Sequence, residues 1–336
     1  MNKLKLLIYI LLVFILFNAI IVFLWPIRTN LKFSNFSPYS KEFVSDLNLK
    51  NDEALQLYLE TWQRDRLFEY DEFTGIRESE IKDGKYVNIS KNNGRLISNN
   101  PKECNQNIFF YGGEIVFGYD VTDDQTIPFY FRNLSKKNNI DKCIYNFGRR
   151  TYFSLQENIL FQKHIMQNKI KEGDIIIFIN GENEQGNSEI INTKFITENY
   201  NDLHQKYWKL YKSGIKYFIT LLPIYQFIEV ITKDNVPTEM STTDNNLINP
   251  SFEDVNKVYN NNLNIRNGIC YEFHLDCYNF LFFVNPNKNK KYEMLKKNNN
   301  IYDLSMFSEN MIQNKFNSIS PAGNETLAKQ IYNLIN

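Results

Sequence analysis

The sequence predicts an α/β protein: a doubly wound, flavodoxin-like parallel sheet preceded by one N-terminal transmembrane helix. Two observations predict this fold class. Residues 6–25 are almost entirely apolar, and from residue 105 onward short apolar runs alternate with helical stretches. The composition agrees, because 43% hydrophobic and 23% charged residues are typical of a globular chain, and 336 residues suffice for a sizeable core.

The apolar segment 6–25 is long enough to cross a membrane. Sixteen of its twenty residues are Leu, Ile, Val or Phe, and a helix of this length spans ~30 Å, the thickness of the hydrocarbon core. A cleaved signal peptide is the alternative to a retained anchor. The sequence favours the anchor, because the segment ends at Trp25-Pro26 without a small-residue cleavage site. We therefore expect a single-pass cell-membrane protein with residues 1–5 in the cytoplasm and the bulk of the chain in the periplasm or outside the cell.

The rest of the chain divides by composition. Residues 26–50 are polar and rich in Ser and Asn, which indicates a juxtamembrane linker. Residues 51–104 are predicted to be a helical and extended N-terminal extension, in which 51–68 has the apolar spacing of a helix. Residues 105–336 carry the α/β pattern and form the predicted main domain.

Within the main domain, buried strands are predicted at four short apolar runs: Ile108–Tyr111, Ile144–Phe147, Ile175–Ile179 and Tyr217–Leu222. Helices are predicted between and after them, at Thr126–Lys136, Ser154–Ile170, Glu198–Tyr211 and Pro321–Ile335. Residues 228–300 are less regular, although the apolar stretch Tyr278–Val284 fits a further strand. The reactive groups of such a sheet collect at the carboxyl ends of its strands.

Charge and residue counts exclude several functions. Lys plus Arg and Asp plus Glu are 38 each, so the net charge is zero and the electrostatic signature of a nucleic-acid binder is missing. There are only three histidines, and the four cysteines form neither a CxxC motif nor a Cys/His cluster. We expect no nucleic-acid partner, no metal and no cofactor. The even number of cysteines is compatible with disulfides, with four free thiols as the alternative.

A specific string of residues follows the first predicted strand. Gly112-Gly113, Phe117-Gly118 and the run Asp124–Pro128 match the order and spacing FGGSxxFGxGVxDxQTIP. This string resembles the first sequence block of the SGNH/GDSL hydrolase superfamily, in its membrane-anchored bacterial form. The resemblance covers roughly residues 70–336 and implies a sheet of the SGNH-hydrolase type.

Three later blocks agree with this resemblance: Asn146-Phe147-Gly148, Gly181-Glu182-Asn183-Glu184 and Ser320-Pro321-x-Gly323-Asn324-Glu325. By resemblance, Gly148 and Asn183 are the donors of an oxyanion-binding site. Arg149 and Arg150 follow directly, and three roles stay open for them: binding an acidic sugar, pairing with a carboxylate of the site, or lying in a solvated loop.

The sequence departs from the family at each catalytic position. Glu114 stands where the family has its nucleophilic serine, Lys315 where it has aspartate and Ser318 where it has histidine. Ester hydrolysis by a serine requires an imidazole to take the proton and a carboxylate to orient that imidazole. A glutamate is a poor nucleophile toward esters and places negative charge beside donors meant for an oxyanion. The resemblance therefore implies a degenerate catalytic site. A pair between Glu114 and Arg149 or Arg150, one of the three open roles, would cancel the negative charge.

The histidines and cysteines complete the candidate residues. His164 and His204 lie in predicted helices and His274 lies outside the matched blocks, so all three are expected to be structural. In the predicted topology the strands after Cys104 and Cys143 are neighbours, ~4.8 Å apart, which a disulfide can bridge. We expect a Cys104–Cys143 disulfide, with Cys270–Cys277 as a candidate local one.

Three functions remain open at this point. The first is a membrane-anchored, catalytically inactive SGNH-like protein that binds acylated or acidic envelope glycans, or a partner protein in polysaccharide assembly; the glycan rests on family analogy. The second is an active esterase or O-acyltransferase with non-standard catalytic residues, for which Ser154 and His274 are the residues to check. The third is a purely structural membrane protein.

Overall fold

The computed structural model describes residues 9, 12–18, 20, 38–62, 68–101, 104–138, 140–150, 152–181, 252–283, 290–296, 301–305 and 318–336. The chain forms two compact units, Ser37–Glu189 with Asn249–Asn336, and Met1–Phe36 with Ile190–Ile248. The fold described below is that of the first unit. Several predictions lie outside the described residues: the strand Tyr217–Leu222, the helix Glu198–Tyr211, His204, Asn183 and Lys315.

The described helices and strands follow one another in the order typical of a mixed α/β chain. The helices are α1 (Lys41–Asp46), α2 (Asn51–Trp62), α3 (Glu114–Phe117), α4 (Ile127–Lys137), α5 (Ser154–Met166), α6 (Phe252–Glu272), α7 (Lys290–Leu295) and α8 (Pro321–Ile335). The strands are β1 (Phe68–Asp71), β2 (Gly75–Glu78), β3 (Ile89–Ser90), β4 (Gly94–Arg95), β5 (Gln106–Gly112), β6 (Lys142–Gly148), β7 (Ile175–Gly181), β8 (Asp276–Phe282) and β9 (Tyr302–Asp303).

Seven strands form one sheet in the order β3-β4-β6-β5-β7-β8-β9. Every neighbouring pair is parallel except β3 and β4, which are antiparallel. Strands β1 and β2 form a separate antiparallel hairpin. The central strands β5, β6 and β7 end together, since Gly112 of β5 pairs with Gly148 of β6 and Ile179 of β7. Their carboxyl ends therefore form one continuous edge.

Helices cover both faces of the sheet. Side chains alternate along each strand, so a buried parallel strand contributes residues to a core on each face. On one face Phe110 and Ile177 pack in a core with residues of α4 and α8, including Phe131 and Leu327. On the opposite face Tyr111 and Phe178 pack with residues of α5 and α6, including Phe161 and Cys270. A mixed α/β fold with a mostly parallel sheet is thus present, as the sequence predicts.

The predicted elements that can be compared agree closely. Three predicted strands lie within β5, β6 and β7, and the predicted stretch Tyr278–Val284 overlaps β8. The predicted helix Pro321–Ile335 coincides with α8, where Ser320 caps the first turn by accepting a hydrogen bond from the Gly323 amide. Helix α5 ends at Met166, four residues before its predicted end, because Asn168 takes the left-handed conformation (φ 55°).

The prediction of a linker over 26–50 is wrong for its described part, residues 38–50. Ser40 caps α1, and Phe43, Val44 and Leu47 are buried, with Phe43 fully enclosed. Leu47 follows Val44 and Phe43 by three and four residues, so these apolar side chains share one face of a short amphipathic helix that packs on the domain.

Most of the predicted transmembrane segment lies outside the described residues. Residues 9, 12–18 and 20 are helical, and their larger apolar side chains are exposed. Within the described part of the chain, no helix combines the length and the apolar character that a membrane crossing requires.

Candidate functional site

The candidate site is the corner of the domain formed by the carboxyl ends of β5 and β6 and the start of α3. A side-chain carbon added to Gly148 would lie 2.2 Å from the backbone nitrogen of Phe117, and one added to Gly112 would lie 2.4 Å from a methyl of Val116. Both glycines therefore allow α3 to rest directly on the strand ends. This contact places Glu114, the first residue of α3, at the edge of the sheet.

The backbone amide of Gly148 donates a hydrogen bond within the chain. It donates to Oδ1 of Asn146 at 3.0 Å, and Nδ2 of Asn146 donates to the Val116 carbonyl at 2.9 Å. The structure places Gly148 beside α3. The amide that would bind an oxyanion in a hydrolase, however, here helps to join β6 to α3.

Glu114 is half-buried and its backbone holds the turn that follows it. Its carbonyl accepts from the amides of Gly118 (2.9 Å) and Tyr119 (3.3 Å), and Gly118 ends α3 in the left-handed conformation with φ 81°. The turn then directs Asp120 inward.

Asp120 is a completely buried side chain that accepts hydrogen bonds from distant parts of the chain. Its Oδ1 accepts from the Tyr39 hydroxyl at 2.7 Å and from the Trp62 indole nitrogen, and its Oδ2 accepts from the Ser318 hydroxyl at 2.7 Å. Ser318 is one of the site residues named from the sequence resemblance. The structure thus connects this position to a carboxylate on the turn after α3.

The buried side chain of Arg95 stabilises this turn through hydrogen bonds. Its guanidinium, 1% exposed, donates to the carbonyls of Phe117 (2.9 Å), Gly118 and Val121 (2.6 Å), and Nε donates to Asp123 at 2.8 Å. Burial raises the pKa of Asp123, although the Arg95 charge and hydrogen bonds act in the opposite direction. One buried cation therefore satisfies the carbonyls that the left-handed turn leaves without helical partners.

Arg149 and Arg150 have different roles, and Arg149 is not a solvated loop charge. Arg149 is 4% exposed and its Nη1 lies 3.5 Å from Oε2 of Glu78 on the β1–β2 hairpin. Glu78 also accepts from the Arg150 amide at 2.9 Å. The guanidinium of Arg150 lies over the ring of Trp62 at 4.5 Å and that of Tyr119 at 5.5 Å.

Neither described histidine lies at this corner. His164 packs under the sheet, where Nδ1 is 2.7 Å from the Tyr111 hydroxyl, and burial lowers its pKa to about 2. It is therefore neutral and structural. His274 is exposed in the turn before β8, at the opposite, amino edge of the sheet.

Ser154 belongs to a buried polar cluster between α5 and α6. Its hydroxyl accepts from Nδ2 of Asn262 at 2.9 Å. At the centre of the cluster, the fully buried Arg266 pairs with Glu157 at 3.2 Å and donates to the side chains of Asn158, Asn180 and Asn279. Its guanidinium also lies 3.6 Å from the centroid of the Phe178 ring.

Two disulfides are present in the structure. Cys104 is bonded to Cys143, with 5.6 Å between their α-carbons, and joins the chain before β5 to β6. Cys270 is bonded to Cys277 across the turn from α6 to β8. Disulfides persist in oxidising compartments, outside the cytoplasm.

Sequence reasoning missed Asp120, Trp62, Tyr39, Glu78 and Arg95. The pattern FGGSxxFGxGVxDxQTIP has glycine where this chain has Asp120, and that difference was a signal. Asp120 takes a left-handed conformation, φ 63°, which glycine adopts most easily and aspartate tolerates. Its partners come from segments that no local pattern links to it.

Comparisons with known proteins give little further information. No family model matches the sequence, and a search of curated proteins found no significant match. Among solved structures, the chain is similar to the psychrotrophic esterase EstA from Pseudoalteromonas sp., in a structure inhibited by monoethylphosphonate. The identity is 8% over 68% of this chain and 96% of that chain, with a TM-score of 0.39. A similarity at this level transfers neither residues nor an activity.

Proposed function

We propose that this protein is a membrane-anchored, SGNH-hydrolase-like protein that binds acylated envelope glycan and does not hydrolyse its ester. The observation that carries the proposal is the hydrogen bond from Ser318 to Asp120, with Glu114 on the adjoining helix. A hydroxyl fixed on a buried carboxylate stands where the family has its general base. A serine hydroxyl cannot do the work of an imidazole at neutral pH.

A binding role is supported by the groups around this corner. Trp62 brings a partly exposed aromatic ring, and Arg150, Glu114 and Ser318 bring partly exposed polar groups. A small number of directed polar groups beside aromatic rings is the usual composition of a small-molecule site. The acyl group and the envelope polysaccharide come from the family resemblance alone.

The proposal predicts binding without turnover. In calorimetry, the full chain in detergent should bind an O-acetylated N-acetylglucosamine tetramer. It should release no acetate from this ligand, and para-nitrophenyl acetate should be hydrolysed no faster than without the protein. The triple variant E114S/K315D/S318H restores the family's residues and is the comparison for hydrolysis. Turnover by the wild type that is lost in S154A or E114Q would show an active esterase or acyltransferase.

The proposed location predicts an exported domain. The two disulfides support a position outside the cytoplasm. In whole cells, a reporter fused at residue 200 should show the activity of a protein outside the cytoplasm. A cytoplasmic signal at that residue would overturn the proposed topology.

A further inference from the structure

We propose that Asn93 and Gly94 form a site of spontaneous deamidation, at which Asn93 becomes aspartate or isoaspartate as the folded protein ages. This covalent modification is independent of the proposed function and requires no ligand. The sequence contains three Asn-Gly pairs: Asn93-Gly94, Asn180-Gly181 and Asn267-Gly268. The structure distinguishes them, because it leaves the side chain of Asn93 exposed and holds those of the other two asparagines by hydrogen bonds.

The reaction begins at the backbone nitrogen of the residue that follows the asparagine. The Gly94 nitrogen gives up its proton and bonds to Cγ of Asn93, while the side-chain amine leaves with a proton as ammonia. A cyclic imide remains, and water then opens it at one of its two carbonyl carbons. One opening gives aspartate, and the other gives isoaspartate, in which the main chain runs through the former side chain. Glycine favours the first step, because no β-carbon hinders the approach.

The first observation is the position of Asn93 in an exposed turn between β3 and β4. Its backbone amide donates to Oγ of Ser90 at 3.3 Å, whereas no described residue forms a hydrogen bond with its side chain. Gly94 pairs with Ser90 at the end of β3, an edge strand of only two residues. Hydrogen bonds at the end of such a short edge strand open at little cost. The imide can therefore form through a local opening of this turn.

The second observation is that Asn180 is held in the core. It is buried in β7, where its Nδ2 donates to Oε2 of Glu157 at 2.5 Å and its Oδ1 accepts from Arg266 at 2.9 Å. Attack on Cγ of Asn180 would break both hydrogen bonds and disturb the buried ion pair between Arg266 and Glu157. Deamidation of Asn180 therefore requires the core to open.

The third observation is that Asn267 and Gly268 lie inside the helix α6. Oδ1 of Asn267 accepts from Nδ2 of Asn279 at 3.1 Å. Within α6 each backbone amide donates to the carbonyl four residues earlier, and this includes the Gly268 nitrogen that would have to attack. The helix must therefore unwind before this pair can react.

The modification should weaken the packing of the strand that carries Arg95. Gly94 packs directly on β6, since an added side-chain carbon would lie 2.0 Å from the carbonyl oxygen of Asn146. Isoaspartate lengthens the main chain just before Gly94 by a methylene group. Arg95 comes next, and its buried guanidinium donates to the carbonyls of the turn after α3. We therefore expect the aged protein to melt at a lower temperature.

The experiment incubates the full chain in detergent at mildly alkaline pH. The water is labelled with heavy oxygen, which marks only the products formed during the incubation. Peptide mapping by mass spectrometry then measures deamidation at the three asparagines. In the folded protein, Asn93 should react at least about tenfold faster than Asn180 and Asn267, because a reaction through an opened state slows with the population of that state. In denaturant this advantage should disappear, since each asparagine precedes a glycine.

The variant N93Q is the matched control. Glutamine keeps the amide but would have to close a larger ring, so position 93 should stay unmodified in the folded protein. Because residue 93 is exposed, the substitution should change the stability of the fresh protein little. The aged wild type should then melt below the aged N93Q, whereas the two fresh proteins should melt alike.

Three results would contradict the inference. Equal rates at the three asparagines of the folded protein would show that the structure does not select Asn93. Absence of the product at Asn93, under conditions in which the denatured chain forms it, would show that the turn protects this pair. Equal melting of the aged wild type and the aged N93Q, with isoaspartate present in the wild type, would overturn the expected effect on the strand of Arg95. None of these results affects the proposed glycan binding, which calorimetry tests separately.

Discussion

Replacing Arg266 by methionine should lower the free energy of unfolding by about 3–5 kcal/mol, the usual cost of breaking a buried ion pair. The guanidinium is fully buried against Glu157 at 3.2 Å. Its loss leaves that carboxylate without its counter-charge. It also removes hydrogen bonds to Asn158 (2.7 Å), Asn180 (2.9 Å) and Asn279 (3.0 Å). Chemical denaturation of the wild type and R266M at the same pH measures the difference.

The loss of unfolding free energy in R266M should also depend on pH. Burial raises the pKa of Glu157 to about 7 from an ordinary 4.5, against the lowering effect of Arg266. A carboxyl whose folded pKa is raised stabilises the protein fully below its unfolded pKa and loses that contribution as the pH rises through the folded value. Without Arg266 the pKa of Glu157 rises further. R266M should therefore cost less at pH 5, where Glu157 is protonated, than at pH 8.

Two variants serve as controls for this prediction. Lys329 and Glu325 form an exposed i,i+4 pair at 2.7 Å on α8, and K329M should cost only about 0.5 kcal/mol or less. The double variant R266M/E157L removes both buried charges and should recover part of the loss. An equal loss for R266M at pH 5 and pH 8 would mean that the charge of Glu157 does not determine the cost.

The sheet could be predicted from the sequence because its strands are buried on both faces. Such strands read as continuous apolar runs, so Ile175–Ile179 was recognisable without any tertiary information. The glycines and prolines at the ends of elements were equally informative. The packed helix in segment 38–50 could not be predicted, because its few apolar residues are buried only through the packing of α1 on the domain.

The candidate site was predictable only in part. Glu114, Gly148 and Ser318 could be placed by the matched blocks. The role of Asp120 could not, since its donors Tyr39 and Ser318 are 81 and 198 residues away in the chain. The burial of Arg95 could not be predicted from the sequence either, because isolated charged residues are mostly exposed.

Gly148→Ala should destabilise the protein by about 3 kcal/mol, the upper end of the cost of overpacking a well-packed interior. The added carbon would lie 2.2 Å from the Phe117 nitrogen and 2.6 Å from the Val116 carbonyl carbon. Both are backbone atoms, so no side-chain rotation can relieve the contact. Helix α3 would have to move away from β6, together with Glu114. Thermal and chemical denaturation should both show the loss.

The matched control is Gly268→Ala on α6, where no atom lies within 4 Å of an added carbon. Alanine in a helix interior is better than glycine by about 0.5–1 kcal/mol, so G268A should be slightly stabilising. The pair of variants separates two explanations of Gly148. An oxyanion donor needs only its amide, which alanine retains, whereas the contact with α3 needs the missing side chain. Native stability in G148A would therefore favour the donor role, and a loss confined to G148A would show that this glycine is required for packing α3 against the sheet.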